Sequence, residues 1–213
     1  MRRVSASIAC IALASCAAVD IRYVPPPDAP PVLNAKVIDK ARAAVWDSSV
    51  PVLGKQSLVI NSLDRSSGVV SISYNGDLTR YIDCGRATSQ FSFGAASRSD
   101  RFEYSKPQQL FYSKDAAGII VFIDQKMSLE AHANLVFEER SPAQTRVSAN
   151  ALYTVRRQQV VQYWGGAVPA STNSDTISFN SGGGAAFPWS GDGLPSQCIA
   201  TGALETELLS LIQ

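Results

Sequence analysis

From Met127 to Phe137 every second residue is apolar: Met127, Leu129, Ala131, Ala133, Leu135 and Phe137. Ser128, Glu130, His132, Asn134 and Glu138 take most of the intervening places. A period of two sends successive side chains to opposite faces, so this is one long antiparallel strand with one dry and one wet side. After RSPAQ the pattern returns as Val147, Ala149, Ala151, Tyr153 and Val155, alternating with Arg146, Ser148, Asn150 and Arg156. Two matched strands joined by a short loop make a hairpin. Its alanines leave room for a helix to lie close on the apolar side. The run GIIVFID in front reads as another strand.

Upstream, Asn34 is a candidate cap for a helix over about 35–49, with Val37, Ile38, Ala41 and Val45 on one face, ended or kinked near Pro51. Trp46 reads as its packing anchor. QSLVINSLD and VVSISY follow as strands around the turn RSSG. Asn75-Gly76 predicts a hairpin leading into a third strand, LTRYIDC. Residues 85–117 and 164–197 read as irregular, the first with short edge strands at FSF and RFEY, the second rich in glycine. Thr201 is a candidate cap for a terminal helix, with Glu205 and Glu207 near its start and Leu204, Leu208, Leu211 and Ile212 in a stripe. Helix, antiparallel strands, helix is an α+β plan, with the sheet packed against an N-terminal and a C-terminal helix.

The N-terminus MRRVSASIACIALASCAAVD joins two arginines to an apolar run too short to span a bilayer. It reads as a secretory signal. Leu13-Ala14-Ser15-Cys16 resembles the lipobox of bacterial lipoproteins, in which the cysteine is acylated and becomes the first residue of the processed chain. The resemblance implies a signal peptide at residues 1–15 and lipidation at Cys16. Ala17, where an aspartate would retain such a protein in the inner membrane, implies the outer membrane. Residues 16–33 then form a lipidated tether stiffened by Pro25, Pro26, Pro27, Pro30 and Pro31. Residues 34–213 form a single periplasmic α+β domain. Processing removes two of the 19 basic side chains and none of the 18 acidic ones, leaving a net charge near −1. That balance offers no footprint for nucleic acid and no polybasic patch for anionic lipid. Attachment would come from the acyl chains.

Cys84 and Cys198 remain after processing. In an oxidising compartment they are expected to pair. No catalytic set emerges. His132 is the one histidine and falls on the wet face of a strand, and a metal site needs several converging ligands. The glycine run SGGGAAF lacks the surroundings of a phosphate-binding loop. Neither a metal nor a cofactor is expected, and the chain reads as a non-enzyme. Trp164 and Trp189, in segments read as loops, are the candidate partner contacts.

The run VWDSSVPVLGKQSLVINSLDRSSGVVSISY resembles the repeated domain of BamC-like outer-membrane lipoproteins, through Trp46, Asp64, Arg65, Gly68 and Tyr74. The resemblance spans about 30 residues of the chain. It implies a helix-grip fold, an antiparallel sheet wrapped against a long C-terminal helix, and a place beside the machinery that inserts β-barrels. The expected role is an accessory or scaffold lipoprotein in an envelope assembly of the barrel-assembly or secretion kind, with other envelope proteins as partners. The alternative is a periplasmic binding module holding an apolar ligand or peptide between sheet and C-terminal helix.

Overall fold

The alternating segments form two strands of 22 and 21 residues, Ile120–Ser141 and Gln144–Trp164, paired antiparallel along their whole length. At about 3.3 Å per residue each runs about 70 Å, far beyond the ordinary strand. The computed structural model describes residues 18–31, 33–93, 96–113, 120–164, 170–188 and 195–213. In chain order its elements are β1 (Ala18–Val24), β2 (Ala35–Ile38), α1 (Arg42–Leu53), β3 (Val59–Asp64), β4 (Val69–Gly76), β5 (Ile82–Asp83), β6 (Arg86–Phe93), β7 (Ala96–Glu103) and β8 (Gln108–Ser113). The long hairpin β9–β10 follows, then β11 (Ser171–Asn180), β12 (Gly184–Ala186), β13 (Gln197–Ala200) and α2 (Ala203–Ser210).

Among the described residues every strand pair is antiparallel. The main sheet runs β11-β10-β9-β4-β3, with β2 added to β10 and β8 to β9. Two small sheets, β1-β6-β7 and β12-β13-β5, complete the body.

Near the turn of the long hairpin, the inner face is apolar. Leu129, Ala131, Ala133, Leu135 and Phe137 lie buried opposite Val147, Ala149, Ala151, Tyr153 and Val155. Two helices cover this face. From α1, Val45, Trp46 and Leu53 are buried, and the Trp46 ring meets Phe137 edge-on at 5.2 Å. From α2, Leu204 and Leu208 are buried over β10. Each such side chain contributes about 1.5–3 kcal/mol by leaving water. Glu205 also points inward. It is buried, and it accepts hydrogen bonds from the Tyr153 hydroxyl at 2.8 Å and from Ser181 Oγ. Burial and the nearby carboxylate push the Tyr153 phenol well above its usual pKa.

The expected α+β, helix-grip-like architecture is overturned. The molecule is mostly antiparallel β, and the two α-helices among the described residues have only 12 and 8 residues. No long C-terminal helix lies along the sheet. Most of the difference lies in the segments read as irregular, which hold β6, β7, β8, β11 and β12 and the first residue of β13. Their polar Ser, Thr, Arg and Gln residues mask the period of two, because these strands lie in the small sheets or flank the long hairpin in the main one, with little to bury. In β11 only Ile177 and Phe179 are buried.

The segment over 35–49 divides. Ala35–Ile38 pairs with β10 as β2, and the helix starts at Arg42 after the extended Ala41. Asn34 caps nothing there. Its side chain bonds Asn150, and its carbonyl accepts from the Ala149 amide. Pro51 sits inside α1, which continues to Leu53. Asn75-Gly76 makes no hairpin. β4 runs through Gly76, and Asp77 then caps a 3-10 turn by accepting from the Thr79 amide at 2.9 Å. The read tether contains β1, and Pro26 is buried. At the terminal helix the cap position is Gly202, at φ 76°, one residue after Thr201.

Cys84 and Cys198 are joined by a disulfide across a sequence separation of 114. Closing so large a loop limits the unfolded chain by about 4–5 kcal/mol in the entropic account. Replacing both cysteines by alanine is therefore expected to lower unfolding free energy by about 3–5 kcal/mol. Urea titration of the two proteins measures it, and coincident midpoints would show that the crosslink adds nothing.

Candidate functional site

Partway along β9 and β10 the inward positions turn from apolar to polar while staying buried. Gln125, Arg157 and Gln159 are each 1% exposed. Charge seldom enters a core without partners, because desolvation is costly. Arg157 has them. Its Nη2 donates to Asp175 Oδ2 at 2.7 Å and to the Pro188 carbonyl at 3.2 Å, and its Nη1 donates to Ser196 Oγ at 3.0 Å. The guanidinium also lies 4.4 Å from the centre of the Phe187 ring. Gln159 Nε2 donates to Gln125 Oε1 at 2.8 Å, and Gln125 Nε2 donates to the Tyr104 carbonyl at 2.9 Å. Segments around residues 104, 125, 157–159, 175, 187–188 and 196 thus converge on one buried layer.

Above it, the Tyr23 and Tyr104 rings meet edge-on at 5.2 Å. The Tyr23 hydroxyl lies 3.0 Å from the carbonyls of Cys84 and Gln197, and the Gln197 amide donates to it at 3.0 Å. One phenol therefore joins β1 to both arms of the disulfide. Gly85 makes the crossing possible. Its φ is +75°, and a Cβ there would collide with the Val24 carbonyl. Asp83 Oδ1 accepts from the Gly85 amide at 2.7 Å and holds the same bend.

Beside this latch lies an open cleft of about 260 Å³, walled by Tyr23, Pro25, Ala186, Phe187, Pro195 and Ser196. Its volume falls below the usual range for small-molecule pockets, about 300–1,000 Å³. Prolines and rings suit a few side chains of an extended peptide. Arg157, beneath it, is already committed to Asp175, Ser196 and Pro188, so it locks the layer and leaves little for a ligand anion.

On the opposite, wet face, Ser73 Oγ lies 3.1 Å from His132 Nδ1, and His132 Nε2 lies 3.0 Å from Glu130 Oε1. Asn61 donates to Ser73. These are residue types of nucleophilic catalysis in a line. Neighbouring strands consume the surrounding backbone amides in ladder bonds, so no donor pair is aimed where an oxyanion would form. His132 and Glu130 are half-exposed on a flat sheet. The row is a surface hydrogen-bond chain, and among the described residues no group of three or more His, Cys, Asp or Glu side chains is placed to hold a metal.

Of the residues singled out from sequence, Cys84 and Cys198 are brought together. Trp164 ends β10 opposite Ile120. Its side chain, like the whole of Trp189 and Cys16, lies outside the described residues. Of the BamC-like positions, Trp46, Asp64, Arg65 and Gly68 gather at one corner, and Tyr74 lies further along β4 with its ring 4.8 Å from that of Tyr81. Trp46 packs on Phe137, Arg65 pairs with Asp47 at 2.8 Å, and Asp64 accepts from the Ser66 and Ser67 amides in the turn. The buried layer was missed, although an arginine at the inward phase of an apolar alternation, Tyr153-Val155-Arg157-Gln159, is a readable signal.

Replacing Arg157 by methionine leaves the Asp175 carboxylate without its partner and is expected to cost on the order of 3 kcal/mol of stability. Denaturant unfolding measures it, and a change below roughly 1 kcal/mol would mean the ion pair acts like an exposed one. Burial pushes the Tyr23 phenol up from 10.0 to about 12. The folded state holds the neutral phenol, so this stabilisation is complete below pH 10 and is lost as pH rises toward 12. Tyr23→Phe is expected to show a shallower alkaline loss of unfolding midpoint than the unsubstituted protein; identical slopes would exclude the latch as its source. No family model, curated protein or solved structure matches this chain.

Proposed function

We propose that this chain is an outer-membrane lipoprotein facing the periplasm, acting as a non-enzymatic accessory or scaffold of an envelope assembly. The observation that carries the reading is Leu13-Ala14-Ser15-Cys16 behind a short basic and apolar leader. Two features support it. A disulfide joining residues 84 and 198 belongs in an oxidising compartment. No helix among the described residues is long and apolar enough to cross a membrane, so attachment by acyl chains is the economical route. The likeness around Trp46 and the Asp64–Gly68 turn to BamC-like lipoproteins favours barrel-assembly-like or secretion-like partners.

The cleft at Tyr23 and Phe187 favours a second reading, a periplasmic module that binds a peptide. Its place differs from the one expected between sheet and C-terminal helix. There Tyr153, Leu204, Glu205 and Leu208 already fill the space.

Cells fed a radiolabelled fatty acid are expected to label the full-length protein, and Cys16→Ala is expected to abolish the label and move the protein into the membrane-free fraction. An unlabelled Cys16 protein would end the lipoprotein reading. Pull-down through a C-terminal tag then separates the two roles: envelope proteins lost with the lipid favour the scaffold, and a peptide retained by Cys16→Ala favours the module.

A further inference from the structure

We propose that the exposed face of the small sheet β1-β6-β7, with the hollow beside Arg86, binds a phosphorylated saccharide. Arg22, Arg86 and Arg101 take the phosphate, and the hollow takes a sugar ring. The inference stands apart from the lipid-anchor reading. A chain close to neutral overall still gathers charge locally. Residues opposite one another in an antiparallel pair share a face, and Thr88 is opposite both Arg22 and Arg101. Arg86 lies two residues from Thr88 along β6, on the same face. At about 4.8 Å between strands and 3.4 Å per residue, the three arginine Cα atoms lie about 8–10 Å apart. Their flexible stems can therefore bring three guanidinium groups to one anion above Thr88.

All three arginines are exposed, and none has an ion-pair or hydrogen-bond partner among the described residues. Like charges this close repel unless an anion sits among them. The guanidinium fork matches phosphate oxygens with parallel N–H bonds, which an ammonium cannot do. Two carboxylates share the face. Glu103, opposite Arg86, is bonded to Lys106 at 3.0 Å, and Asp20 lies beyond Arg22, opposite Gln90. With Lys106 counted, four cationic side chains stand against these two. The excess is positive, and it centres on Thr88.

Arg86 also lines a hollow of about 210 Å³, with Thr79, Asp83, Glu103, Ser105 and Thr201. Its oxygens suit the hydroxyls of a sugar. Thr79 donates to Asp77 and Thr201 to the Tyr81 carbonyl, and each hydroxyl oxygen can still accept. Asp83 gives Oδ1 to the Gly85 amide and keeps Oδ2. Ser105 is 7% exposed, and its hydroxyl has no hydrogen-bond partner among the described residues. A buried hydroxyl left unpaired costs free energy that a ligand hydroxyl recovers. The volume lies below the usual range for a whole ligand, about 300–1,000 Å³, and suits one ring whose phosphate stays outside on the arginines. A bilayer is another source of phosphate. Among the described side chains of this sheet face the only large apolar one is Val24, and no aromatic ring stands there to enter a membrane interface. Charge and lining together name a glycan-borne phosphate.

The test titrates the full-length protein with N-acetylglucosaminyl phosphate in a calorimeter. Saturable binding is expected, weakening as salt is added. Arg86→Gln and Arg101→Gln are each expected to weaken it about tenfold or more, the loss of one charged hydrogen bond. Lys126→Gln, on the main sheet, is expected to leave it unchanged, as is Cys16→Ala, so that failure here leaves the anchor reading intact. Ser105→Ala is expected to weaken the sugar phosphate and spare inorganic phosphate, which binds less tightly. Absence of saturable heat would overturn the site, as would full affinity in Arg86→Gln protein with an unchanged melting curve. Inorganic phosphate bound as tightly as the sugar phosphate would overturn the saccharide. Cys16→Ala protein captured through Arg86 by phosphatidylglycerol vesicles, without heat from the sugar phosphate, would overturn the proposal and give the surface to a membrane.

Discussion

The pairing of β9 with β10 is the constraint from which the remaining structure follows. A two-stranded ribbon of this length cannot be stable alone, and its inner face has to be covered along both halves. The chain divides its inner face by height. Alanines at 131, 133, 149 and 151 admit the helices to the half near the turn, where Trp46, Leu204 and Leu208 complete a dry core. Beyond Val155 the inward residues become Arg157 and Gln159, and the cover becomes loops and small strands that bring their own polar partners. A polar layer there adds little net stability over an apolar one of equal fit. It constrains register instead. Sliding β11 by one residue along β10 would turn Asp175 to the other face and leave Arg157 buried without its carboxylate.

The Tyr23 hydroxyl and the disulfide act at the boundary between these halves. β1 has no long hydrophobic run, and it is held through pairing with β6 and through one phenol placed on Cys84 and Gln197. The crosslink places those two carriers side by side, so the site that holds β1 depends on it. The N-terminal strand is consequently tied to the centre of the molecule, although it precedes the main sheet in sequence and belongs to a different one.

What could be read from sequence follows the same division. The long hairpin, the wet face bearing Glu130, His132 and Asn134, and the Cys84–Cys198 bond were legible, because strong alternation and a two-cysteine choice leave few alternatives. The small sheets were not. β6 and β7 consist largely of Ser, Arg and Thr, whose alternation means nothing until a partner strand supplies one face to bury. The Asn75-Gly76 signal was local and lost to a local competitor, the Asp77 carboxylate that caps the next turn. Helix-like spacing at Val37 and Ile38 lost to an available edge on β10, whose ladder bonds outweigh a weak propensity. Arg157 was legible in phase but not in meaning, since Asp175, Ser196 and Pro188 come from segments with no periodic signature.

A strand in place of the expected tether changes the mechanics of the N-terminal segment. A proline spacer would let that segment swing freely against the body. β1 removes that freedom. Torque or displacement at residue 18 passes through the six paired residues Ala18–Tyr23, and from there to Cys84 and Gln197. The prolines do their work after the strand. Pro26 is buried, and Pro25 lines the cleft beside Phe187, so the fixed φ values serve to route the chain across the β12–β13 surface.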